Sequence, residues 1–230
     1  MNDGHVKLLH WPGMQEFKAR MGLALFFLFF FYLIYGTAAY VADYVPWRIP
    51  VGFGFELSIP FIPESALIYL TLSLLMMLAL FVIRQVSHLK MLVYVLCIQT
   101  LFAGVCFVVF PAVSNFPVRL TGGDVFIFRF ADMLNLHNNE VPSLHVCFAF
   151  TLAGVMSYYG RLWQRLLLYT WSAAIAVSTL TIHEHNLIDL LAGIILSVWG
   201  VRYWRCLSAR DCIPLGGCIL TLGKGGEPEP

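Results

Sequence analysis

Six apolar stretches dominate this chain, and each is about as long as a bilayer core is thick. A helix needs ~20 apolar residues to cross that core. Hydrocarbon admits only helices and closed barrels, because every backbone polar group must find its partner within the protein. The stretches are residues 22–42, 64–83, 91–110, 144–159, 165–181 and 186–204. They predict an all-α integral membrane protein of six transmembrane helices. Composition agrees, since only 12% of the 230 residues are charged where a soluble domain carries about a quarter. The first stretch is longer than a signal-peptide apolar region and no small-x-small cleavage site follows it, so it reads as the first span. A net charge of +1 gives no field for nucleic acid.

The connecting segments set the orientation. Asp43 to Pro63 carries Trp47, Phe53, Phe55 and Phe61, residues that favour the membrane–water interface. Residues 111–141 form the longest and most polar loop, and the part from about 206 to 230 reads as a loose tail. No repeat or second domain interrupts residues 1–230. Six spans place both termini on one side. Lys7, Lys18, Arg20, Arg84, Lys90, Arg161, Arg165, Arg202, Arg205, Arg210 and Lys224 fall on that side, against Arg48, Arg119 and Arg129 on the other. By the positive-inside rule both termini are expected to be cytoplasmic. Cys97, Cys106, Cys147, Cys206, Cys212 and Cys218 have neither zinc-ribbon spacing nor a secreted disulfide pattern. They read as small apolar fillers or free thiols.

Two ionisable clusters interrupt this apolar background. Pro142-Ser143-Leu144-His145 opens the fourth span, and Ser178 to Asp189 joins the fifth to the sixth. Ionisable groups at membrane depth are costly and mark function. Both clusters are expected on the non-cytoplasmic face, which is the periplasm if the source is bacterial. His185 and Asp189 are four apart and share a helix face. Asp189 would hold one imidazole nitrogen and leave the other free to react. Ser143 suits a helix cap and could also donate to an oxyanion. Two histidines, a carboxylate and helix-end donors suit phosphoryl transfer without a metal or other cofactor. One histidine attacks phosphorus, and the other protonates the leaving oxygen.

These residues resemble the signatures of the type 2 phosphatidic acid phosphatase (PAP2) superfamily. Pro142-Ser143-Leu144-His145 looks like its second motif, usually Pro-Ser-Gly-His. Ser178-Thr179-x5-His185-x3-Asp189 looks like the third, usually Ser-Arg-x5-His-x3-Asp. Of the first motif, usually Lys-x6-Arg-Pro, only Arg119 matches. Ala112 stands in the Lys position, Leu120 in the Pro position and Thr179 in the third-motif Arg position. Leu144 in the Gly position is similar to a Pro-Ser-Leu-His branch that includes inositol phosphorylceramide synthase-like proteins. The resemblance implies His185 as nucleophile of a phosphohistidine intermediate, Asp189 as its orienting partner and His145 as general acid. It implies Arg119, Ser143 and Ser178 as phosphate binders; His183, when protonated, or Arg129 could stand in for the missing cation.

The implied activity is a metal-independent phosphatase acting on a lipid phosphate in the bilayer. The alternative is a lipid phosphotransferase that uses a hydroxyl acceptor. A metalloenzyme built on His145, His183, His185 and Asp189 competes, although the pattern lacks the second histidine of a His-Glu-x-x-His helix. A non-catalytic channel is disfavoured because the ionisable groups gather at one face. Plainer readings exist for single residues. Ser178 could bond back within its own helix, His183 could be a solvated loop residue, and Asn138, Asn139 and Glu140 could be turn residues. Nothing in the pattern specifies an oligomer.

Overall fold

The computed structural model describes residues 9–116, 125–134, 140–210, 212–215 and 218–221. Helix α1 runs Met14–Asp43 and begins eight residues before the apolar stretch. Its polar first turns are helical because they have something to hold. Arg20 is buried and donates to the carbonyls of Leu80, Ile83 and Arg84 and to Glu16. Those carbonyls end the second apolar stretch, where the last carbonyls of a helix lack internal N–H donors. After a short strand, β1 (Ile49–Val51), and a 3-10 turn at Gly54–Ser58, that second stretch forms two pieces, α2 (Ala66–Leu70) and α3 (Leu72–Val82). The break is at Thr71, whose hydroxyl donates to the Ile68 carbonyl and accepts the Trp171 indole N–H at 2.8 Å.

Helix α4 spans Val86–Val109 and leads into strand β2 (Ala112–Ser114). Strands β1 and β2 pair in parallel with Ile49 opposite Ala112, which ties the two long loops together. The 111–141 segment, expected as loop throughout, also contains α5 (Phe126–Leu134). Phe128 and Ala131 are buried while Phe126 and Met133 are exposed. Nine residues are too few for this one-sided pattern to stand out in sequence, and the helix is stable by docking on α2. Helices α6 (Leu144–Met156), α7 (Leu162–Thr181) and α8 (Leu187–Arg210) complete the apolar set. α8 continues past the expected end at 204, and Arg210 in its last turn complements the helix dipole. The tail, expected to be loose, contains an antiparallel pair, β3 (Cys212–Leu215) with β4 (Cys218–Thr221).

All six apolar stretches are therefore helical. Four helical segments, at 14–43, 63–82, 86–109 and 187–210, are long and apolar enough to cross a membrane, which marks a membrane-embedded protein. α6 has 13 residues, a rise of ~20 Å. α7 is 20 residues long but mixes in Gln164, Arg165, Ser172, Ser178 and Thr179.

α6 is the central helix, packed against α3, α4, α7 and α8. Apart from His145 and Thr151 it is apolar all round, as a helix enclosed by others must be. Small residues let its neighbours come close. A Cβ on Gly154 would lie 2.5 Å from a Val201 methyl, and one on Gly200 would strike the Gln99 side chain. Gln99 donates to the Thr151 hydroxyl at 2.9 Å and the Leu196 carbonyl at 3.1 Å. That clasp joins α4, α6 and α8 in the core, each bond contributing about 0.6–2 kcal/mol in an apolar setting.

Candidate active site

The N-terminal ends of α6 and α8 meet the C-terminal end of α7. Ser143 caps α6, its hydroxyl accepting the Val146 N–H at 3.4 Å. The Ser143 N–H donates to the Asp189 carbonyl at 3.1 Å, so the start of α6 is fastened to the first turn of α8. Gly193 makes this approach possible. A Cβ there would lie 2.6 Å from the Ser143 carbonyl oxygen.

α7 ends with its hydroxyls turned inward. Ser178 donates to the Ile175 carbonyl and Thr179 to the Ala176 carbonyl, both at 2.7 Å. For Ser178 this is the back-bonded arrangement that sequence allowed. Thr179, in the third-motif Arg position, shapes the turn through its carbonyl, which accepts from Glu184 N at 2.9 Å and His185 N at 3.2 Å. His183 has φ 57°, a conformation that costs a non-glycine residue ~1–3 kcal/mol. It is buried rather than solvated. Its Nε2–H donates to the Ile59 carbonyl at 3.0 Å, and its ring lies flat on Phe116 at 4.1 Å. His183 thus bolts the Asp43–Pro63 loop to the turn that carries His185.

The imidazole of His185 places Nδ1 3.4 Å from Asp189 Oδ2 and 3.7 Å from Glu140 Oε2. Asp189 is wholly buried, and the same Oδ2 accepts the Asn186 N–H at 2.8 Å. Burial alone would push the His185 imidazole below its ordinary value. The Asp189 carboxylate 3.4 Å away, with the charges of Glu140 and Glu184, outweighs burial and holds it above that value. The His145 ring centre lies 6.5 Å from that of His185. Two clusters 40 residues apart in sequence therefore converge. Tyr69 stacks on His145 at 4.1 Å with its hydroxyl 3.3 Å from Nδ1. Each imidazole thus turns Nδ1 to a protein group and leaves Nε2 without a partner among the described residues.

Glu140, read as a turn residue, instead faces His185 Nδ1, and sequence reasoning missed two further supports. One is Tyr69, an aromatic residue like many others near a membrane face. The other is Glu56, which is wholly buried and accepts from Phe53 N, Leu187 N and, at 3.1 Å, Asn186 Nδ2. Asn186 Nδ2 also donates to Asn115 Oδ1 at 2.6 Å. The orphan N–H groups at the start of α8 are thus met by Glu56 and Asp189. A signal for Glu56 was present, namely one carboxylate in an apolar loop, which needs donors when buried. Of the other predicted residues, Arg119 lies outside the described residues, as do Asn138 and Asn139. Arg129 sits exposed on α5.

Glu140, His185 and Asp189 offer ligand atoms that all lie within 4.8 Å of one another. A tetrahedral ion with bonds of ~2.1 Å has ligand atoms ~3.4 Å apart, close to the two distances seen here. The two distances to His185 Nδ1 are compatible with a cation held between the three groups, and equally with a carboxylate-oriented histidine.

Comparison with known proteins bears on this choice. No curated protein and no solved structure matches the chain. The family model described as PAP2 superfamily matches residues 114–211, the segment that holds Ser143, His145, His185 and Asp189. Over that segment the chain is similar to the PAP2 superfamily, whose members are phosphatases.

Proposed function

We propose that the protein is a membrane phosphatase that removes phosphate from a lipid phosphate through a phosphohistidine on His185. The observation that carries this reading is the pair of imidazoles 6.5 Å apart, with Asp189 3.4 Å behind one of them. Nε2 of His185 attacks phosphorus, the P–N bond forms and the bond to the lipid oxygen breaks. Protonated His145 gives its proton to that oxygen. Neutral His145 then takes a proton from water. The hydroxide attacks phosphorus, the P–N bond breaks and inorganic phosphate leaves. Asp189 keeps the Nδ1–H of His185 directed toward itself and offsets the charge that develops on the ring. Arg119 and Arg129 are the proposed phosphate clamps, with Ser143 at the start of α6. Six spans, cytoplasmic termini and a site facing the other leaflet complete the proposal.

The test is phosphate release from a panel of lipid phosphates in detergent, with and without chelator. The panel runs from phosphatidate to polyprenyl pyrophosphate. Release is expected to survive chelation and to vanish in His185→Ala. Full release by His185→Ala overturns the assignment. A second reading rests on Glu140, His185 and Asp189, which would hold a divalent ion that could supply an activated water. Loss of release on chelation, restored by a divalent ion, selects that reading over the first.

A further inference from the structure

The three helices that build the site also meet at their other ends. The C-terminal ends of α6 and α8 lie there with the N-terminal end of α7. A cavity of about 360 Å³ opens among them, lined by Ser157, Tyr158, Arg165, Tyr169 and Arg205. It is within the size range of small-ligand pockets, ~300–1,000 Å³. Along α8, Arg205 is 16 residues beyond Asp189, a rise of ~24 Å. The cavity is therefore a different place from the histidine cluster.

Its chemistry is that of an oxyanion site. Arg165 spends only Nε, which donates to the Gly160 carbonyl at 2.9 Å. The guanidinium of Arg205 has no partner among the described residues. None of the lining residues is acidic. Ser157 provides the independent sign of a ligand. It is 6% exposed, and its hydroxyl has no hydrogen-bond partner among the described residues. A buried hydroxyl left unmet is costly, so one that lines a cavity calls for a polar visitor. Two guanidinium forks, a serine hydroxyl and two phenols match the several oxygens of a phosphate.

The surroundings say where that phosphate comes from. Leu162, Trp163, Leu166 and Leu167 are exposed on α7 beside Arg165. An apolar helix face with a tryptophan at its end is suited to acyl chains and the headgroup boundary. Basic pockets between transmembrane helices hold anionic headgroups by this combination. We propose that the cavity is a second phosphate site, holding the headgroup phosphate of an anionic phospholipid from the leaflet opposite the histidine cluster.

The experiment is native mass spectrometry of the detergent-solubilised full chain with phosphatidylglycerol, phosphatidylcholine or inorganic phosphate added. Phosphatidylglycerol is a diester and releases no phosphate as a monoester would. Wild type is expected to retain one phosphatidylglycerol and to discriminate against phosphatidylcholine. Arg165→Gln with Arg205→Gln should weaken retention by about tenfold or more, equivalent to ~1.4 kcal/mol, with an unchanged melting temperature. Should the pair disturb folding, Arg205→Gln alone carries the test, since its side chain bonds no described residue. Ser157→Ala should weaken retention without lowering stability, and His185→Ala should leave retention intact. Equal retention by the arginine variants, or equal retention of both lipids, overturns the proposal. Loss in His185→Ala alone would place the lipid in the histidine site and also overturn it. Retention or thermal protection by inorganic phosphate with none by the lipid would reassign the cavity to a free anion.

Discussion

Replacing Gly193 with alanine tests how tightly the catalytic geometry depends on one missing methyl group. The added Cβ would sit 2.6 Å from the Ser143 carbonyl oxygen and 3.3 Å from Cys147 N, both backbone atoms of α6. Neither can swing away as a side chain would, because the Ser143 carbonyl accepts the Cys147 N–H at 3.0 Å inside the helix. Ordinary contact begins at 3.4 Å, so the two helix starts must separate by about 0.8 Å for the methyl to fit tightly packed surroundings. His145 rides on α6 and Asp189 on α8, so the same shift misaligns the reacting groups. A 1 Å misplacement can cost ~10²-fold in rate. Overpacking costs about 1–3 kcal/mol, while alanine for glycine in a helix returns up to ~1 kcal/mol. The net stability loss is therefore modest, ~0–3 kcal/mol, and activity should fall far more than folding. The assay is kcat and KM for phosphate release, with a thermal scan of the same preparation. Gly22→Ala is the control, since a Cβ there meets nothing within 4 Å. A Gly193→Ala protein with wild-type kcat would refute the claim that this contact sets the distance between the two imidazoles.

Two other perturbations probe the supports of the site. Glu56→Ala strips the acceptor from Phe53 N, Leu187 N and Asn186 Nδ2 in a wholly buried place. It should destabilise by ~3–5 kcal/mol and lower kcat through the loosened start of α8. A thermal scan within error of wild type would contradict that. Asp189→Asn removes the group that most raises the His185 imidazole and leaves burial to push it down. The attacking nitrogen must be unprotonated, so the acid limb of kcat/KM lies above the usual histidine value, ~6.5, in wild type. It should move to lower pH in Asp189→Asn while kcat falls. In stability the sign runs the other way. A raised folded-state value favours folding below ~6.5, and that contribution fades as pH rises through the folded value. An acid limb that stays put in Asp189→Asn would show that another group titrates.

Periodicity and length made the six helices legible, because a bilayer-length apolar run has few other solutions. The ends were less legible because they depend on partners. Arg20 is helical for the sake of three carbonyls some sixty residues away, and no local pattern announces that. The convergence of His145, His185 and Asp189 was legible because the span order brings the helix ends together, although His185 lies in the turn before α8 and not on the helix face expected for it. Tyr69 and Glu56 were not, since each acts across a large sequence separation. Glu56 reaches Leu187, 131 residues away. Thr179 shows another limit. Its place in the motif suggests a lost cation, and its carbonyl instead builds the turn that presents His185.

The most direct measurement is chemical trapping of the intermediate. The protein is mixed with a phosphorus-labelled lipid phosphate that it cleaves, quenched in base and digested, and the labelled peptide is sequenced. The account predicts an acid-labile, base-stable label on His185 that is absent in His185→Ala. Turnover of the same substrate with no covalent label, or with the label on another residue, would contradict it.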